Sequence, residues 1–457
     1  MELLTDKRLV LLKQEGMFTD KMIINLLIPI LIEQIMVVAI NIADTLMVSY
    51  SGENAVAGIS LVATFDSLIK VMMSSLAIGG SIIISQYIGK GENYNANKAM
   101  KTSFYCVLFL AVVMSLILLV FRNQFLSLLV GQVEKGVWES AQTYLSLTLF
   151  SYPFFAAYYV ASAAFRASGN SRTPMLCSLV MMTVNLILKA VFIYIFKMGV
   201  WGAGISTLIS VALIGIIMTV ISCKPYNTVH IEKISKIKFE MAMITRVLGV
   251  GIPNIIENGM FQLGILLLQR LTASFGTASI AANAIVKNLA PLSYMSGFCY
   301  GYVIITIVGQ CMGAGQTEQA VLYTKHILKL SYIIALAVNL ACIAFNKNLV
   351  GAFNLSTEAN QIASSIFYIY CIGGILYYPT SFVLPNALRA AGDNKFTMTV
   401  SVLTMFGARI GLAFVFGLYM NMGLFGIWLA MQLDWVIRSV IFTGRFVRGK
   451  WKTIRVI

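Results

Sequence analysis

Hydrophobic residues fall along this chain in long, nearly unbroken stretches, with the polar residues gathered into short segments between them. The stretches match the ~20 apolar residues that a helix needs to cross a bilayer, whereas barrel strands would show alternating segments of ~10. The pattern predicts helices near 24–47, 57–85, 102–121, 138–162, 175–196 and 202–222, then near 249–271, 281–309, 327–345, 360–383, 398–418 and 423–443. The expected fold class is an all-α integral membrane protein with twelve transmembrane helices.

The two sets of six echo each other. Pro29 and Glu33 recur 224 residues later as Pro253 and Glu257, Gly52 and Ala57 as Gly276 and Ala281, and Gln86, Gly89 and Gly91 as Gln310, Gly313 and Gly315. Arg166 to Gly169 returns as Arg389 to Gly392 at an offset of 223, and Gly199 and Gly202 return as Gly423 and Gly426. Six spans bring the chain back to its starting side, so the copies are parallel repeats. The expected organisation is an N-terminal six-helix lobe (1–222), a cytoplasmic linker (223–248) and a C-terminal six-helix lobe (249–457), with a central cleft. Two like lobes that can rock about a shared pathway point to transport. The glycines near the inner face read as helix ends, and Arg166 and Arg389 as anchors to headgroups or helix C-termini.

Basic residues support the even count. Segments expected inside hold 24 Lys and Arg against 4 in the opposite loops, which places both termini in the cytoplasm of a multi-pass plasma (inner) membrane protein. The composition agrees: 59% hydrophobic, 11% charged, mean hydropathy +0.84. The net charge of +15 is then mostly a rim attracted to anionic lipid headgroups, and no nucleic-acid partner is needed. Charged residues 1–21 run straight into the first span, so no cleavable signal peptide is expected. The seven cysteines form no CxxC pair, so neither a disulfide nor a zinc site is expected. No P-loop or cofactor fingerprint occurs, so an enzyme is not expected, and energy should come from an ion gradient.

Among the charged side chains within the spans are Glu33, Asp44, Asp66, Lys70 and Lys189, then Glu257, Arg270, Lys287, Arg409 and Asp434, while Lys329 and Arg438, near span ends, are counted with the basic rim. Each costs about 2.5–3.5 kcal/mol at helix centre unless it meets water, a partner or a ligand. Arg270, Lys287 and Asp434 lie near span ends and read as snorkelling residues. Asp44 is the leading candidate to carry a proton or a sodium ion; the plainer alternative is a charge at the outer water boundary. Asn185 and Lys189 share one face of the fifth helix, and a mid-span lysine needs a carboxylate, Asp44 or Asp66. Asp66 has Lys70 one turn away, a pair that could be structural. Glu33 and Glu257 follow their prolines by one turn, where an opened carbonyl and a carboxylate could hold an ion, or where the acid could simply be hydrogen-bonded between helices. Glu257 is also a candidate to bind the substrate itself, and Tyr158, Phe367 and Tyr377 are chosen as further substrate contacts on residue type alone.

These residues carry a resemblance that covers essentially the whole chain. Asp44-Thr-Leu-Met-Val with Gly52 and Ala55-Val-Ala-Gly58, Ile88-Gly-Lys-Gly91 with Met312-Gly-Ala-Gly315, Arg166-Ala-Ser-Gly-Asn with Pro174, Asn185 with Gly199-Val-Trp-Gly-Ala203, and Glu257 four residues beyond Pro253 resemble the multidrug and toxic compound extrusion (MATE) transporters. The resemblance implies export of cationic, often aromatic drugs in exchange for H+ or Na+ by alternating access. It assigns Asp44 and Asn185 to one ion site and Glu257 to another, with Na+ possible at Asp44 and Glu257. Where many members carry an acid one turn after the fifth-helix asparagine, this chain has Lys189, and its tenth helix lacks the acid that some sodium-coupled members carry. A monomer without cofactors is expected. The competing readings are a lipid-linked saccharide flippase, kept open by Lys70, Lys189, Lys287 and Arg409, and a non-transporting receptor or scaffold.

Overall fold

A computed structural model describes residues 16–130, 134–232, 240–353 and 356–457. Among the described residues, twelve long helices carry the fold. The first six are α1 (Asp20–Ser49), α2 (Glu53–Gly89), α3 (Asn93–Val120), α4 (Lys135–Ala167), α5 (Arg172–Ala190, prolonged by a π-helical turn Val191–Ile195) and α6 (Gly199–Ser222). The second six are α7 (Met241–Ala273), α8 (Thr277–Gly313), α9 (Thr317–Ala344), α10 (Thr357–Leu376, continuing through Pro379–Val383 and Leu384–Ala390), α11 (Asn394–Leu403, continuing to Tyr419) and α12 (Gly423–Arg448). Every expected span falls on one of them. Most run further than the apolar stretch; α3, expected from 102, begins at Asn93 because its polar first turns stay helical past the hydrocarbon boundary.

Among the described residues, ten helices are long and apolar enough to cross a membrane. The other two, α4 and α7, are equally long, but α4 interleaves Ser, Thr and Tyr with its apolar residues and α7 carries Asn, Gln, Glu and Arg. Lys7, Arg8, Lys13, Lys233, Lys236 and Lys238, counted in the basic rim, lie outside the described residues.

The repeat is also written in the backbone. Gly52 and Gly276 precede α2 and α8 with φ of 93° and 87°, and Gly91 and Gly315 follow them with 79° and 72°. Side chains rarely tolerate these angles, which is why glycine recurs there. The offset rises from 223 at Arg166/Arg389 to 224 at Gly199/Gly423, so the second copy holds one extra residue between these points. It also holds a π-helical segment, Thr404–Ile410, whereas Val191–Ile195 is matched 224 residues on by Val415–Tyr419. A π turn closes i→i+5 hydrogen bonds, so it absorbs one residue without ending the helix.

The described residues divide into two compact units, Ile28–Ile255 and Ile256–Ile457, the latter joined by residues 16–27. Both α1 and α7 change unit along their length, and each does so within three residues of its repeated proline, Pro29 or Pro253. In the first unit α2 and α7 approach closely: a Cβ added to Gly79 would lie 2.5 Å from Gly251 Cα. In the second unit Phe367, Tyr370, Trp428 and Trp435 belong to a single apolar core.

Candidate functional site

In the first unit, α1 and α5 bring Asp44 and Lys189 together, with Lys189 Nζ 2.7 Å from Asp44 Oδ2. Lys189 is only 3% exposed, too deep to snorkel. The other carboxylate oxygen, Asp44 Oδ1, is buried and has no hydrogen-bond partner among the described residues. Asn185, one turn before Lys189, turns instead to α6, where its Nδ2 donates to Thr207 Oγ1 (3.3 Å) and Ser210 Oγ (3.1 Å). It therefore pins α5 to α6 and sets the height at which Lys189 meets Asp44.

Asp66 sits one turn before Lys70 on α2, and the two form an ion pair of 2.6 Å. Lys70 Nζ also lies 4.3 Å from the centre of the Phe155 ring. Asp66 Oδ1, like Asp44 Oδ1, is buried without a hydrogen-bond partner among the described residues. Tyr144 of α4 lies within electrostatic reach of both Asp44 and Asp66. The first unit thus holds two acids, each with a lysine on one oxygen, and Tyr152 of α4 stands beside the Asp66 carboxylate.

Glu33 and Glu257 are built differently. Arg166 Nη2 lies 2.7 Å from Glu33 Oε2, and the Tyr158 hydroxyl donates to Glu33 Oε1 at 3.2 Å. In the second unit Arg389 pairs with Glu257 Oε1, which also accepts a 2.6 Å hydrogen bond from Ser401 Oγ. Arg389 Nη1 donates to Asn386 Oδ1. The repeated acid and the repeated arginine therefore form one duplicated ion pair. The expectation that Arg166 and Arg389 anchor to headgroups or helix ends is corrected: a guanidinium on a long stem reaches back from the helix end to the buried acid.

The second unit adds a pair with no counterpart in the first. Arg438 Nε lies 2.9 Å from Asp434 Oδ1, and Arg438 Nη2 donates to the Ser401 carbonyl at 2.9 Å. Asp434 is fully buried and Arg438 is 3% exposed, so neither the snorkelling expected of Asp434 nor the rim position expected of Arg438 holds. The Arg409 guanidinium lies 5.3 Å from the Phe261 ring centre, with Asp434 in electrostatic reach. Arg270 and Lys287 are exposed, and Lys287 Nζ donates to Gln269 Oε1 at 3.5 Å. Of the three aromatic candidates, Tyr158 is engaged by Glu33, Phe367 is fully enclosed in the apolar core, and Tyr377 is half-buried where α10 ends its regular turn before Pro379. Among the described residues no three His, Cys, Asp or Glu side chains converge in a metal-binding group.

The repeat sorts these pairs. Glu33–Arg166 and Glu257–Arg389 occur in both copies. At the 224-residue offset, Asp44, Asp66 and Lys189 meet Leu268, Ala290 and Ala413, and Asp434 meets Ser210. What is shared holds the two copies to one architecture; what is unshared distinguishes their chemistry.

Comparison with known proteins places this arrangement. The probable multidrug resistance protein NorM of Thermotoga maritima is 26% identical over 447 residues, which cover 96% of this chain and 95% of that protein. An uncharacterized transporter of Bacillus subtilis, YisQ, is 25% identical over 93% of each chain. A crystal structure of MATE in the bent conformation superposes with a TM-score of 0.87 at 20% identity, covering 94% of this chain and 96% of that one. A Pyrococcus furiosus transporter of the MOP superfamily, described as having a binding pocket of reversed polarity, superposes at 0.86 and 20% identity over 95% and 97%. The MatE family profile matches residues 29–191 and 250–415, one block in each repeat. The chain belongs to the MatE family, the multidrug and toxic compound extrusion transporters.

Proposed function

We propose that the protein is a secondary active exporter of cationic, aromatic small molecules, driven across the plasma membrane by ion exchange through Asp44, with both termini in the cytoplasm. The observation that carries this reading is the unduplicated Lys189–Asp44 pair, whose second carboxylate oxygen is buried without a hydrogen-bond partner among the described residues. The relatives named as multidrug resistance proteins support the substrate class. The basic asymmetry of the segments between spans supports the orientation.

Protons fit this site better than sodium. The Lys189 ammonium already occupies the position that a bound cation would take on Asp44. A proton arriving on the carboxylate would neutralise it and leave the lysine charge buried and unpaired, a cost of several kcal/mol that would favour a second arrangement of the helices. Substrate export and proton entry would then be linked through one pair with two states. A flippase for anionic lipid-linked saccharides would instead need several cations free to face a cleft. Lys70 and Lys189, two of the four that suggested it, are each held by a carboxylate.

The test is uptake of a cationic dye into proteoliposomes under a proton gradient and a sodium gradient imposed separately. The proton gradient is expected to drive accumulation and the sodium gradient to add little. One-for-one exchange of a proton for a monovalent cation moves no net charge, so a tenfold proton gradient, about 1.4 kcal/mol, supports about tenfold accumulation. Drive by sodium alone would reject proton coupling, and no drive by either would reject ion-coupled export.

A further inference from the structure

Two positions that lock helices together in the first copy are reworked in the second. Asn185 donates to Ser210 Oγ at 3.1 Å, a neutral lock between α5 and α6. At the 224-residue offset the same positions hold Arg409 on α11 and Asp434 on α12, which could make that lock as an ion pair. They do not. Asp434 Oδ1 is taken by Arg438, while half-buried Arg409 has no ion-pair partner among the described residues and its Nε is buried without a hydrogen bond. Lys287 of α8 stands within electrostatic reach of Arg409, and its Nζ meets an amide oxygen, Gln269 Oε1, rather than a carboxylate. At 1.5 Å per residue, Lys287 lies about 15 Å along α8 from Thr277 and Arg409 about 15 Å along α11 from Tyr419, so the two share one depth. Lys287 and Arg438 replace Ala63 and Ile214 of the first copy, so this cluster belongs to the second alone.

Three cations thus share one acid. The acids outside the described residues, Glu2, Asp6 and Glu15, all precede Gly16, and Met17 and Phe18 are bonded to Gln319 and Tyr323 in the first turns of α9, at the opposite end of the unit. Every other residue outside the described ones is neutral or basic and supplies no carboxylate. Buried positive charge without a protein partner is a recognition element for an anion. A guanidinium meets a carboxylate through two parallel N–H···O bonds, and an ammonium beside it adds a further donor. Asp434 lies within electrostatic reach of Arg409, and its Oδ2 is buried without a hydrogen-bond partner among the described residues. That carboxylate opposes a second negative charge on the ligand, which favours a monoanion over phosphate or pyrophosphate. The Arg409 and Arg438 guanidinia both stand over the ring of Phe261, which is half-buried and leaves ring surface for an apolar body. We infer that the second unit binds an aromatic monocarboxylate, its carboxylate held by Arg409 and Lys287 and its ring beside Phe261.

Equilibrium dialysis of the full chain in detergent against radiolabelled benzoate tests this. No gradient is imposed, so the result is independent of ion coupling through Asp44. One benzoate is expected to bind per chain. Neutral benzamide, inorganic phosphate and pyrophosphate are each expected to displace it only at concentrations at least about tenfold higher, one unit in log K. Arg409→Gln is expected to weaken benzoate binding at least about tenfold, and Lys287→Gln to weaken it less. Because Arg409→Gln strands no carboxylate, it should melt no lower than the wild type. A lower melting temperature would make Arg409 a structural residue and overturn the inference. So would displacement by benzamide at the same concentration as benzoate, tighter binding of phosphate or pyrophosphate, wild-type affinity in either variant, or no saturable benzoate binding at millimolar concentration.

Discussion

Replacing Arg389 with alanine is expected to destabilise the second unit by about 3–5 kcal/mol, the cost of breaking a buried ion pair from one side. Glu257 would keep the Ser401 hydroxyl but lose its only cationic partner among the described residues, and it is 6% exposed. Arg389→Lys should recover little, because Arg389 reaches Glu257 and Asn386 with two separate nitrogens and one ammonium does not reproduce that fork. Arg389→Ala combined with Glu257→Gln should be milder than Arg389→Ala alone, since the stranded charge is gone. Arg166→Ala should repeat the loss in the first unit, with the Tyr158 hydroxyl as the contact left to Glu33. Melting temperature and membrane abundance read the effect; an Arg389→Ala protein that melts with the wild type would show that the duplicated pair carries no weight.

Lys189→Ala and Asp44→Asn are expected to lower gradient-driven transport at least about tenfold each, a loss of about 1.4 kcal/mol or more. The structural penalties differ. Asp44→Asn leaves a nearly buried ammonium without its carboxylate, whereas Lys189→Ala leaves a carboxylate whose side chain is 34% exposed and can draw on solvent. Asp44→Asn should therefore reduce abundance more than Lys189→Ala does. The double variant should be less damaging to abundance than the sum of the two, with a coupling of about 0.5–3 kcal/mol as expected for residues in contact. Strict additivity in both abundance and transport would remove the pair as a functional unit and turn attention to Asp66 and Lys70.

The helices were legible because membrane spans announce themselves by length. Even α4 and α7, too polar for a simple hydropathy test, were readable: six spans per repeat and the alternation of basic segments required a helix in each place. The ends of the helices were not legible, since hydropathy reports where the hydrocarbon begins and the first turns of α3 stay helical outside it. Within the site, Asp44 with Lys189 and Asp66 with Lys70 were reachable, because a mid-span lysine needs an acid and one-turn spacing is visible. The partners of Glu33 and Glu257 were missed, although the signal existed: an acid and an arginine that recur at nearly one offset will meet in both copies if they meet in one. Asp434 and Arg438 were likewise one turn apart in plain view, but their nearness to a span end suggested snorkelling. Phe367 shows the limit of residue type as a guide, since an aromatic side chain packs a core as readily as it lines a pathway.

The central claim, that Asp44 carries the coupling ion, is tested most directly by purified Asp44→Asn in proteoliposomes under an imposed proton gradient, with unlabelled-for-labelled substrate exchange measured alongside. The expected result is loss of gradient-driven accumulation while exchange, which needs substrate binding but no net ion movement, continues. Gradient-driven accumulation at the wild-type rate by this variant would contradict the claim.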